Sequence, residues 1–125
     1  DELVALLAQL DMFIGVDSGV THCAEAAGIP LVVLFGPTPP SEQHPVTVPA
    51  ILLHPVNLAC APCSFAYKTA SHCANKRTPA ACIQQISVDQ IIQATRLLEK
   101  ADNKYSRPLD RCDHLSPRHS STKTD

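Results

Sequence analysis

Residues Phe13 to Thr38 read FIGVDSGVTHCAEAAGIPLVVLFGPT, two apolar runs held apart by a stretch of small and polar residues. The first run begins at Met12 as MFIGV, has the length of a strand and stops at Asp17. From Gly19 to Ala27 the residues are small, Val20, Cys23, Ala24 and Ala27 share a helical face, and Gly28 stands where a helix C-cap belongs. After Pro30 comes LVVLFG, rich in Val and Leu and bounded by Gly36 and Pro37, the pattern of a strand buried on both faces. Strand, helix and strand in close succession predict a βαβ unit, and with it a parallel sheet and a right-handed crossover.

Working outward, Leu3, Leu6, Leu7 and Leu10 are spaced at i, i+3, i+4 and i+7 behind an acidic Asp1 and Glu2, which predicts an amphipathic helix. The sequence starts without Met inside that pattern, as a piece of a longer chain would. Downstream, the prolines between Pro37 and Pro55 predict mainly loop, with AILLH at Ala50 to His54 as one more short strand. The segment 60–82 mixes cysteines with Ala, Ser, Lys and Pro and shows neither period. Order returns at Ser87, where Ser87 and Gln90 make a capping box and Val88, Ile91, Ile92, Thr95 and Leu98 align on one face. Residues 101–125 are too poor in apolar groups to offset the entropy of ordering them and are expected to form a disordered polar tail. One α/β domain over 1–100, with a cysteine loop at 60–82, is the expected organisation.

Composition narrows the class. At 125 residues and 45% hydrophobic the chain supports one modest core. Its formal charge of -2 is small and scattered, which excludes the basic footprint of nucleic-acid binding. No apolar run approaches the roughly 20 residues that span a bilayer, and the start lacks the basic flank and cleavage site of a signal peptide. Six cysteines beside long aliphatic runs fit a reducing cytoplasm better than a small disulfide scaffold.

Asp17, Ser18, Gly19, Thr21 and His22 fall where a parallel strand hands over to a helix. There the crevice beyond the strand ends meets the helix's free amides and positive dipole end. Gly19 would admit an anion close to the backbone, Ser18 and Thr21 could donate hydroxyl hydrogens, and Asp17 could accept from sugar hydroxyls. A phosphorylated sugar matches those properties. The plainer reading also stands on the residues alone: Ser18 caps the helix, His22 fills a slot at the core edge and Asp17 bonds its own turn.

The stretch from Asp11, DMFIGVDSGVTHCAEAAGIPLVVLFGPTPP, resembles the D-[ST]-G-x-[ST]-H and downstream G-P-T segment of the family 9 glycosyltransferases, the ADP-heptose:lipopolysaccharide heptosyltransferases. The likeness covers Leu3 to Thr38 well and the CAPC loop and final helix more loosely. It implies the C-terminal, donor-binding half of a two-domain GT-B enzyme, a Rossmann-like parallel sheet. Asp17 then matches the motif carboxylate near the donor sugar, and Ser18 and Gly19 match positions whose backbone approaches the diphosphate. Thr21 and His22 match the later polar pair, and Gly36, Pro37 and Thr38 the G-P-T turn. The implied reaction is transfer of a heptosyl or other glycosyl group from ADP-heptose or a similar nucleotide-sugar to lipopolysaccharide core, with inversion. It needs no bound divalent metal. The acidic general base and the acceptor site belong to the N-terminal half, so this segment alone is expected to be inactive. The resemblance further implies a cytoplasmic protein, peripheral at the inner face of the membrane.

Cys60, Cys63, Cys73 and Cys82 form C-x2-C-x9-C-x8-C, one chelating pair followed by two single cysteines. A structural zinc site commonly has two such pairs, so the spacing leaves both a tetrathiolate site and free loop thiols open, and the α/β core is expected to fold without metal. Two rivals are weighed against the transferase. A Rossmann-like domain of another enzyme class would carry G-x-G-x-x-G after a strand, and only isolated glycines occur. A cysteine-rich metal-binding module would depend on its ion to fold.

Overall fold

A computed structural model describes residues 2–63, 73 and 75–102. The expected tail lies outside the described residues beyond Asp102, as does much of the cysteine loop. Eight elements follow one another: α1 (Glu2–Leu7), β1 (Phe13–Val16), α2 (Gly19–Ala26), β2 (Leu31–Leu34), α3 (Pro40–Gln43), β3 (Ala50–Leu53), α4 (Ala81–Gln84) and α5 (Val88–Asp102).

The three strands form one parallel sheet in the order β1-β2-β3, with Phe13 opposite Leu31 and Leu31 opposite Ala50. Because side chains alternate along a strand, β2 feeds two cores. Leu31, Val33 and Phe35 point to the side of α1 and α2, where Leu7, Ala24 and Ile29 complete a buried cluster. Val32 points the other way, onto Ala94 and Leu98 of α5. The expectation of a strand covered on both faces holds: Leu31, Val32, Val33 and Phe35 have no exposed surface. At about 1.5–3 kcal/mol for each buried side chain, these four residues are a substantial share of the burial that holds the domain together.

The helices end and begin where the sequence places them. At the end of α2, Gly28 adopts φ +78°, and its amide donates to Glu25 O while that of Ile29 reaches back to Ala24 O, satisfying two otherwise orphaned carbonyls. At the start of α5 the capping box is closed reciprocally: Gln90 Oε1 accepts from Ser87 N–H at 2.8 Å, and Ser87 Oγ accepts from Gln90 N–H at 3.2 Å.

Three expectations need correction. The leucine stripe is buried only at Leu7, while Leu3, Leu6 and Leu10 remain 39–59% exposed, since this one-and-a-half-turn helix packs mainly against α2 and reaches the core through Leu7. On α2 the buried face runs through Thr21 and Ala24, and Val20 is exposed. Pro37 to Pro55 contains a short helix, α3, because Pro40 occupies its first turn, where a missing N–H costs nothing.

A staple joins α2 to the segment entering β3. One carboxylate oxygen of Glu25, Oε1, accepts from the amides of Val46 at 2.6 Å and Thr47 at 2.9 Å and from the Thr47 hydroxyl at 2.9 Å. The Thr47 and Val46 amides hold the carboxyl below its usual range. A depressed folded-state value means stability that is full above the ordinary carboxylate range and lost as the pH falls through it. Glu25→Ala should therefore cost about 1–3 kcal/mol near neutral pH. In paired denaturant melts that difference should shrink below about pH 4. A gap that does not change with pH would show that the charge is not what holds the staple.

Candidate functional site

The carboxyl ends of all three strands open on the same side of the sheet, and the residues singled out by sequence gather there in two groups. The first follows β1. Asp17 N–H donates to Leu34 O at 3.2 Å, which fixes the turn by extending the sheet one residue past the strand. The Asp17 side chain is half-buried and Ser18 is extended, with φ -162° and ψ 166°. Ser18 occupies the N-cap of α2 without a side-chain capping bond, so its hydroxyl is not spent on its own helix. The first intrahelical bond runs from Thr21 N–H to Ser18 O. That leaves the Gly19 and Val20 amides at the positive end of the dipole, and a side chain at Gly19 would meet only open space.

Thr21 and His22 part company with their neighbours. Thr21 is 2% exposed, and its hydroxyl donates to Val16 O at 2.6 Å, tying the first turn of α2 to the last residue of β1. Gly15, on β1 beside this bond, leaves room for the ring of Phe13: a Cβ there would lie 2.5 Å from Phe13 Cε1, while Thr21 Oγ1 would be at an ordinary contact distance of 3.4 Å. His22 is exposed rather than at the core edge, with Nδ1 4.0 Å from Glu25 Oε2.

The second group follows β2 and β3. Gly36, Thr38, Pro40, His54, Pro55, Ala61 and Pro62 line an open cleft. Gly36 is buried for a reason invisible in local sequence: a Cβ would sit 2.9 Å from Ile83 Cδ1 and 3.4 Å from Cys82 Sγ, so its missing side chain lets α4 dock. Pro37 O accepts from Cys63 N–H at 2.7 Å, bringing the cysteine loop against the same turn. Thr38 and His54 supply the polar side chains of the cleft. Sequence reading missed His54. Its signal was available, as the polar residue that closes the apolar run AILL at a strand's carboxyl end. Asp17, Ser18 and Gly19 stand outside the lining of this cleft.

The arrangement is that of a small α/β domain with a three-strand parallel sheet, with the free amides of α2 and an open cleft carrying Thr38 and His54 beyond its strand ends. The family model for glycosyltransferase family 9 (heptosyltransferase) matches residues 1–74, and the chain belongs to that family. Membership points to glycosyl transfer, with a sugar donor and an acceptor as substrates. No curated protein and no solved structure gives a significant match. Among the described residues no helix is long and apolar enough to cross a membrane.

The buried Thr21 bond gives a test of local architecture. Thr21→Val keeps the volume but strands the Val16 carbonyl, and should cost about 1–3 kcal/mol. Thr21→Ser should recover most of it. Urea midpoints for the two variants check this, and a loss in Thr21→Ser with none in Thr21→Val would assign the effect to packing of the methyl group instead.

Proposed function

We propose that the chain supplies the donor-binding half of a GT-B transferase that moves a heptosyl group, or a related glycosyl group, from ADP-heptose or a similar nucleotide-sugar to lipopolysaccharide core, inverting the anomeric carbon. The observation that carries this reading is the position of the D-S-G segment: Asp17, Ser18 and Gly19 lie just past β1, at the amino end of α2, with the uncommitted Ser18 hydroxyl among them.

The division of labour follows from charge. A diphosphate leaving group gains negative charge as the glycosidic bond breaks. The Gly19 and Val20 amides and the α2 dipole therefore bind the transition state more strongly than the ground state. The Ser18 hydroxyl adds a donor to the same group. The Asp17 carboxylate would repel phosphate, so its partner is a hydroxyl of the donor sugar, which it orients. Thr38, on the turn after β2, faces the same ligand from the cleft. No divalent metal is needed where helix amides carry the leaving group. The acidic base that deprotonates the acceptor hydroxyl comes from the other half of the enzyme.

In the full-length enzyme, Asp17→Ala should lower kcat/KM for ADP-heptose by about 10- to 100-fold, the worth of a hydrogen bond to a charged group. The melting temperature should stay close to that of the wild type. A stability loss matching the activity loss would make Asp17 a turn residue. This chain alone should give no turnover with ADP-heptose and a heptose-deficient core, and robust turnover would mean that the base lies within it.

A further inference from the structure

His54 is used by neither the core nor the D-S-G turn, yet the sheet register sets it in line with that turn. Val16 pairs with Leu34 and Leu34 with Leu53, so the next row, just past the strand ends, is Asp17, Phe35 and His54. Phe13, Leu31, Val33, Phe35, Ala50 and Leu52 all belong to the core on the α2 face, and the alternation of side chains assigns Asp17 and His54 to that face too. Two strand spacings, about 10 Å in all, separate them.

The hydrogen bond that His54 makes decides what it can offer. Nδ1 lies 3.2 Å from Pro55 O. A carbonyl oxygen only accepts, so in the neutral imidazole Nδ1 carries the hydrogen and Nε2 is left as an acceptor. Among the described residues no protein hydrogen bond engages Nε2 or the Thr38 hydroxyl. The lining of the cleft contains no Lys, Arg, Asp or Glu, so it has no charge with which to hold a phosphate. It also has no aromatic ring besides the imidazole on which to stack a base. What fits is a neutral group that brings O–H donors to Nε2 and an aliphatic face to the rings of Pro40, Pro55 and Pro62. A sugar ring has both.

Building on the donor-binding reading of Asp17, Ser18 and Gly19, we propose that His54 is a specificity-determining contact to the glycosyl group of the donor. Its Nε2 accepts from a hydroxyl on the edge of the sugar ring opposite the hydroxyl that Asp17 holds, and the Thr38 hydroxyl bonds beside it. With the diphosphate on the α2 amides, the ring lies along the row from Asp17 to His54, which has the span of one pyranose with a hydrogen bond on either side. A donor sugar without that hydroxyl leaves Nε2 desolvated and unpaired, and is discriminated against for that reason.

The test uses full-length protein without acceptor, so that ADP-heptose binds and is not turned over. In titration calorimetry His54→Phe, which keeps a ring but has no acceptor, should bind ADP-heptose about 10-fold more weakly. His54→Gln, whose amide oxygen accepts, should recover most of that loss. ADP, which lacks the sugar, should bind all three proteins alike. In magnetic resonance spectra of nitrogen-labelled histidine, the free His54 ring should carry its hydrogen on Nδ1. Its Nε2 signal should move on adding ADP-heptose and stay in place with ADP or with heptose-deficient core. ADP weakened as much as ADP-heptose would make His54 a structural residue, and a Gln variant as weak as the Phe variant would show that the acceptor is not what counts; either overturns the proposal. So does a hydrogen on Nε2 in the free protein, or a signal that moves with ADP or with core in place of ADP-heptose. Tight binding of ADP-heptose with an unmoved His54 sinks this contact alone, whereas a wild type that binds neither ADP nor ADP-heptose sinks the donor-binding reading and the contact with it. If a variant does not fold, the wild-type spectra decide.

Discussion

Everything in this domain depends on the requirement that β2 be covered on both faces. Its odd-numbered residues need one apolar layer and its even-numbered residues another, and the chain can provide two layers only by crossing from one side of the sheet to the other. The layer of α1 and α2 comes first in sequence, and α5 closes the opposite face after the long excursion through the cysteine loop. Because a parallel sheet forces each connection to return to the starting edge, all three strands deliver their carboxyl ends, and the polar residues that follow them, to one rim. The place for a ligand is a by-product of the way the core is filled.

What was legible in the sequence was what local physics decides. The run LVVLFG, the glycine after α2 and the Ser87–Gln90 pair each carry their structural reason within a few residues, and each appears as read. What was misread depends on neighbours distant in sequence. A leucine stripe says that a helix can be buried but not whether anything lies against it, and α1 sends only Leu7 into the core. Thr21 stands in the polar cluster as a possible donor to a ligand, yet its hydroxyl donates to Val16 O, across the turn from strand to helix. Gly36 matches the G-P-T turn by resemblance, but what requires a glycine there is α4, a four-residue helix with no periodicity to read.

The Glu25 staple and the residues proposed to meet a ligand lie at opposite ends of the sheet. The Glu25 staple joins the last turns of α2 to the segment that enters β3, at the amino end of the strands. Asp17, Ser18, Thr38 and His54 lie at the other end. Side chains at the carboxyl rim can therefore change without disturbing the staple, while the buried Thr21 bond ties the first turn of α2 to the end of β1 at that rim.

Of the residues lining the cleft, Pro40, Pro55 and Pro62 are prolines. A proline ring surrenders its φ freedom before folding begins, so a rim built from such residues has little left to lose when a guest arrives. It also has no amide hydrogen to offer. The cleft is thus stiff and poor in donors, a mould more than a clasp: a guest in it would be selected by shape at small entropic cost, with polar contacts available only from Thr38 and His54 of its side chains.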